Sequence, residues 1–206
     1  MTFPDFADVP SAIGTFRIFY QGRKVSDVAL RESPGTSDGV RAGLRQHFPP
    51  FPEGSPPWQL QEYFLGRLSR FDVEPEPVSG SSFDRSVWKV LFAVPAGRTV
   101  TYGELARWAG FSGSARAVGG AMRRNPIPII VPCHRVVGSD GSITGFGLGL
   151  WRKRWLLGHE GSWPVRPRSL AGPAPSGQRT LDDSWASVHR LAPISKAAPM
   201  RSAFTG

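Results

Sequence analysis

The chain has 206 residues, 40% of them hydrophobic, a net charge of +9 and a single cysteine. This length can bury a real core in one generous domain or two small ones, while one cysteine excludes an intramolecular disulfide framework and a multi-cysteine zinc site. No apolar run approaches a membrane span, and "MTFPDFADVPSAIG" has acids and prolines where a signal peptide would be basic and then apolar, so a cytoplasmic protein in a reducing compartment is expected.

In chain order, "TFRIFYQGRKVSDVAL" predicts two strands about a turn at Gln21-Gly22, because Phe16, Ile18 and Tyr20 alternate and Val28 and Leu30 continue the pattern. "VRAGLRQHF" is a weakly patterned helix, and the dense prolines of "PPFPEGSPP" require a loop. "PWQLQEYFLGRLSRF" predicts a helix entered at Pro57, with Leu60, Phe64, Leu68 and Phe71 on one face. "DVEPEPVSGSS" reads as a linker. Residues 1–80 are therefore assigned to an N-terminal α/β support domain and its linker.

The next segment is mostly helical. "FDRSVWKVLFAV" places Phe83, Val87, Val90, Leu91 and Val94 on one face. Thr101 with Glu104 forms a capping-box pattern at the start of "TVTYGELARWAG", and Ser114 is a candidate cap for "SGSARAVGGAMRR". Two short helices about a tight turn suggest a helix-turn-helix, stopped at Asn125-Pro126. "IPIIVP" approaches the cysteine, "GSDGSITGFGLG" is a Gly-rich loop, and "WRKRWLLGHEG" is a final helix. This segment, 81–161, carries 11 Lys/Arg against 4 Asp/Glu, whereas residues 1–80 carry 8 against 10. Such a concentration suits a polyanion-binding domain, although Arg-rich composition alone would also produce it. The tail, 162–206, has six prolines and no sustained periodicity, and is expected to be disordered.

A lone cysteine is ordinarily a small buried hydrophobe. In "VPCHRVVG", however, Cys133 follows a proline and precedes His134 and Arg135, neighbours that a core cysteine does not need. A nucleophilic thiol does need help, since thiolate is a minor species at neutral pH. Adjacent side chains point apart, so a bridging water would have to connect Cys133 to His134, and the imidazole would need an orienting partner. Asp84 and Glu104 are explained as helix caps and Asp140 by its turn. Glu160, at a helix end where an anion is unfavourable, has no such explanation. The residues thus suggest a Cys–water–His–Glu relay beside a basic helix-turn-helix, without naming a substrate.

The blocks "GRTVTYGELA" (97–106), "SARAVGGAMRRNP" (114–126), "PCHRV" (132–136) and "LWRKRWLLGHEG" (150–161) together resemble the O6-alkylguanine-DNA alkyltransferases. The resemblance implies an α+β fold, with a small ribonuclease H-like α/β domain followed by a mostly helical, winged-helix-like domain. It implies direct repair of double-stranded DNA: O6-alkylguanine, with O4-alkylthymine left open, is flipped out and its alkyl group passes irreversibly to Cys133. His134 would be the water-mediated base, Glu160 its holder and Asn125 the hinge that braces the active-site turn. Tyr102 would contact the flipped base, the carbonyl of Val136 would accept from the guanine amino group, the Gly147 amide would donate to O6, and Phe146 would wall the pocket. Arg116 would fill the vacated stack, Ala115 and Gly119 would allow close approach to the minor groove, and Arg123 and Arg124 would hold phosphates. The implied protein needs no cofactor or metal; His47 is the only candidate ligand in the N-terminal region and is read as an ordinary surface residue. It would act as a monomer, with cooperativity on DNA left open.

Phe146 and Leu148 depart from the tyrosine and glycine common in the family, which bears on the alkyl groups the pocket would admit. Three rivals fit less well. A thiol hydrolase would place its histidine elsewhere and a dithiol enzyme needs a second cysteine. A plain helix-turn-helix regulator would not need Cys133, Asn125 and Glu160 together. The alternative that shares the most is a non-catalytic sensor of alkylated bases with the same fold.

Overall fold

Alternating side chains in the first part of the chain build a small sheet with one covered face. In the computed structural model, residues 4–32 and 51–163 are described. Strands β1 (Asp5–Ser11), β2 (Gly14–Gln21) and β3 (Lys24–Glu32) are antiparallel neighbours, and β4 (Glu74–Pro75) joins the β3 edge in parallel. The register sets Val9 opposite Phe16 and Ile18 opposite Val28, all buried. The β2–β3 turn carries Gly22 at φ +57, a left-handed conformation that glycine adopts without steric cost. The two predicted strands are therefore present. β1 was not expected, because Pro4, Pro10 and two acids, Asp5 and Asp8, weaken its pattern; as an edge strand it tolerates a proline that a central strand would not.

Helix α1 (Pro56–Phe64) packs on β1 and β2, and the Phe64 ring stacks on Phe16 at 5.5 Å between centroids. The helix was expected to run on through Leu68 and Phe71. It stops instead because Gly66 takes φ +71 and its amide closes the end by donating to Tyr63 O at 2.9 Å. Phe71 and Val73 still reach the core from the segment that leads into β4, so the apolar spacing survived after its helical cause had ended. The buried Gln59 amide pins that segment, donating to Asp72 O at 3.1 Å and accepting from Asp72 N at 2.6 Å. The supposed linker also contributes structure, since Glu74 N donates to Arg23 O and Glu76 N to Val25 O as β4 forms. The helix expected in "VRAGLRQHF", His47 and the tail from residue 164 lie outside the described residues.

The second part is helical. Helix α2 (Ser82–Phe92) and helix α3 (Tyr102–Trp108) each begin with a complete capping box, Ser81 with Asp84 and Thr101 with Glu104. Helix α4 (Ala115–Arg123) packs against both, and the Trp88 indole of α2 donates to Ala121 O at 3.0 Å. Ser114 occupies the cap position of α4, but its side chain makes no capping bond, because its backbone is not in the extended conformation that aims the hydroxyl at the first turn. Strand β5 (Val100–Thr101) pairs in parallel with β6 (Val136–Val137), so the start of α3 is tied to the chain just after the cysteine. Helix α5 (Leu150–His159) closes the fold. One apolar core runs through both parts, from Phe16 and Leu60 to Leu91, Val118 and Leu156, each such buried side chain contributing about 1.5–3 kcal/mol. Among the described residues no helix is long and apolar enough to cross a membrane.

Candidate active site

The cysteine is presented by a braced, irregular segment. The Asn125 amide donates to Val131 O at 2.8 Å and accepts from Ile127 N at 3.0 Å, so one side chain holds both ends of residues 127–131. Within that span Ile129 sits at φ +76 and is fully buried. A β-branched residue there costs about 1–3 kcal/mol and persists only where its surroundings over-determine it. A single 3₁₀ turn, Cys133–Arg135, follows and opens into β6.

Cys133 is 6% exposed. Burial pushes its thiol up, against a side-chain hydrogen bond with Asn125 and the charge of Lys153, which both pull it down. The Lys153 ammonium, on α5, donates to Val136 O at 2.6 Å and to Thr144 O at 2.9 Å. Burial lowers it to about 8, partly opposed by its attraction to Cys133. The resting sulfur is therefore a thiol, with a cation nearby that favours its ionised form.

His134 is fully buried, and its Nε2 lies 3.0 Å from Glu160 Oε1. Burial disfavours the imidazolium, and this outweighs the attraction of Glu160, so the ring is held below its usual range and stays neutral at pH 7. Burial also works against the Glu160 carboxylate, but His134 and Arg135 prevail and hold it well below the usual carboxylate range. Arg135 forks onto it, Nε to Oε2 at 3.0 Å and Nη2 to Oε1 at 2.6 Å, and Nη1 donates to Val94 O. An ionised carboxylate can only accept, so Nε2 carries the imidazole proton and Nδ1 keeps its lone pair. Nδ1 is buried with no hydrogen-bond partner among the described residues. A base with one free lone pair is thus set beside the thiol residue.

The remaining expected site residues surround this cluster. Tyr102, at the first position of α3, has its hydroxyl 3.5 Å from Thr144 O in the Gly-rich loop. The Phe146 ring stands edge-on to His134, 6.5 Å between centroids, and Gly147 beside it is exposed. Val136 O already accepts from Lys153, which leaves one of its two lone pairs. On α4, Gly119 lies next to the Tyr102 ring and Ala115 is half-buried, while Arg116 and Arg123 are exposed and make no ion pair among the described residues. Arg124 differs from its expected use: Nε and Nη2 grip Asp84 at 3.1 and 2.7 Å, so this side chain is bound within the fold and not held out toward a ligand. Asp84 thereby serves the α2 cap and the end of α4 together.

Sequence reading missed Arg135, Lys153 and Tyr63. Arg135 could have been found from its place in "CHR", where an always-charged residue beside a buried pair must itself find a partner. Lys153 was hidden among the basic residues of "WRKRW", which read as a solvent face. Tyr63 gave no signal beyond ordinary helix composition.

These features define a mixed α+β protein whose one cysteine lies in a buried polar cluster beside an exposed basic helix. Residues 82–162 match the family described as 6-O-methylguanine DNA methyltransferase, DNA binding domain. The methylated-DNA–protein-cysteine methyltransferase of Shigella flexneri is 52% identical over 103 residues, which span 50% of this chain and 60% of that relative. The crystal structure of Mycobacterium tuberculosis OGT in complex with DNA is 42% identical over 76% of this chain and 92% of that one, with a TM-score of 0.62. The O6-methylguanine-DNA methyltransferase of the hyperthermophilic archaeon Pyrococcus kodakaraensis KOD1 is 30% identical, covering 76% and 98%, with a TM-score of 0.53. The chain belongs to the O6-methylguanine-DNA methyltransferase family.

Proposed function

We propose that this protein repairs double-stranded DNA by moving the alkyl group of O6-alkylguanine onto Cys133 in a single turnover. The observation that carries this reading is the unpartnered Nδ1 of neutral His134, locked by Glu160 and adjacent in sequence to a buried thiol. A bridging water relays the thiol proton to Nδ1 as sulfur attacks the alkyl carbon. The carbon–O6 bond breaks, its electron pair stays on the base, and the proton ends on guanine, leaving a thioether and a neutral base. Tyr102 stabilises the departing guanine as charge develops, the Gly147 amide donates to O6, and Lys153 favours the ionised sulfur.

The alkyl group lies inside the base stack, so in-line attack requires extrusion of the nucleotide, which is cheapest for a poorly paired lesion. On this reading α3 and α4 act as a winged-helix-type helix-turn-helix. Small residues Ala115 and Gly119 approach the minor groove, Arg116 enters the stack and Arg123 contacts phosphate. Residues 81–161 perform the chemistry, residues 1–80 form a ribonuclease H-like support, and the protein works as a monomer in the cytoplasm. Intact-mass analysis after incubation with duplex DNA carrying one O6-methylguanine tests the proposal. A stoichiometric gain of one methyl group on the Cys133 peptide is expected; tight binding without any gain would favour the non-catalytic sensor.

A further inference from the structure

Glu160 has a fourth hydrogen bond, and it comes from the other part of the molecule. The hydroxyl of Tyr63, in the last turn of α1, donates to Oε1 at 2.7 Å. Oε1 thus accepts from His134 Nε2, Arg135 Nη2 and Tyr63, while Oε2 accepts from Arg135 Nε. A carboxylate oxygen offers about two acceptor sites, so three donors crowd Oε1 and Tyr63 shares that atom directly with His134. Tyr63 is 1% exposed and is held at both ends. His159 Nε2 donates to its backbone carbonyl at 2.6 Å, and the His159 ring stacks on Trp155, which in turn meets Phe64. Its own ring packs against Phe71 and His159. Burial and the neighbouring carboxylate raise the phenol well above its usual range, so it remains a donor at every working pH.

We propose that Tyr63 is a positioning residue for the Cys133 relay, through which the N-terminal part of the chain sets the orientation and basicity of Glu160 and hence the proton affinity of His134. Arg135 alone would hold the carboxylate by its fork, but it would leave Oε1 with one donor fewer and more electron density for His134. The charged and titratable groups that face the imidazole are Glu160, Arg135, Lys153 and Cys133; Tyr63 reaches it only through Glu160. This inference rests on the proposed relay, but the coupling it describes can be read without any alkyl transfer.

The test is the conservative Tyr63→Phe variant in the full chain, with Leu60→Ala, one turn earlier on α1, as the control for general loosening. The His134 ring is titrated by NMR, assigned with His134→Gln, and single-turnover reaction with O6-benzylguanine is followed from pH 5 to 9. Tyr63→Phe is expected to raise the His134 midpoint by about one unit, because Glu160 then binds the imidazole proton more strongly. The acid limb of the rate profile should follow it upward, making the loss of rate larger at pH 6 than at pH 8.5. Leu60→Ala should leave both midpoints in place. A His134 titration that superimposes on the unsubstituted protein, or a rate profile scaled by one factor at every pH, overturns the proposal. Should the unsubstituted protein transfer nothing, the functional reading fails, and the His134 titration still decides the role of Tyr63.

Discussion

The sheet and α1 bury Val9, Phe16, Ile18, Val25 and Leu60, with the uncharged Gln59 and Gln61 as polar exceptions, whereas the helical part buries His134, Arg135, Arg152 and Lys153 among its apolar side chains. Burying a charge costs several kcal/mol per ion before its partners repay it, and well-packed hydrophobic residues would often serve stability equally well. The first part is therefore organised for cohesion and the second carries a set of ionisable groups that stability does not require. They are not independent, because Arg152 Nε donates to Ile13 O at 2.8 Å, Val28 N to Pro126 O at 2.8 Å and Tyr63 to Glu160.

Substitutions can break this contrast in turn. Cys133→Ser should have the largest effect, abolishing methyl gain by intact mass while leaving the melting temperature and lesion-DNA affinity close to unchanged, since a hydroxyl is far less nucleophilic. Glu160→Gln should cost about 3 kcal/mol in denaturant unfolding, as Arg135 is left as a buried cation without its anion, and it should slow transfer. The carboxyl is depressed in the fold, so its stabilisation is present above its unfolded value of about 4.3 and is lost as pH falls toward the folded one. The unsubstituted protein should lose stability through that window more steeply than Glu160→Gln. Leu60→Ala should cost about 2–5 kcal/mol, yet leave the transfer rate of the folded fraction unchanged at 20 °C or another temperature far below melting. The smallest effect distinguishes neighbours on α4. Arg123→Ala should reduce the salt slope of DNA binding by about one ion, whereas Arg124→Ala should leave the slope alone, because that side chain is bound to Asp84.

What could be read from the sequence follows from where each signal resides. Cys133, His134, Glu160 and Asn125 carry their chemistry in residue type, and the fold places His134 on Glu160 and Asn125 across the turn. The capping boxes of α2 and α3 are local, so the Thr101–Glu104 box was visible in the spelling. Partners fixed by tertiary packing were not. Tyr63 lies 97 positions from Glu160, and nothing in "QEYF" states that separation. Arg124 looked like a free cation because Asp84, 40 residues earlier, was already explained as a cap. Helix α1 was drawn too long because the apolar period continued past Gly66, whose left-handed backbone decided the matter.

The hydroxyl that Tyr63 places on Glu160 has a consequence for modularity. The match to the family's DNA-binding domain begins at residue 82, and a protein engineer cutting there would obtain a piece with every residue of the proposed relay and most of its core. That piece would leave Glu160 short of a donor, the Pro126 carbonyl without the Val28 amide and the Arg152 guanidinium without Ile13. The start of the matched stretch is therefore not a line along which this molecule divides, because one core and these three hydrogen bonds cross it.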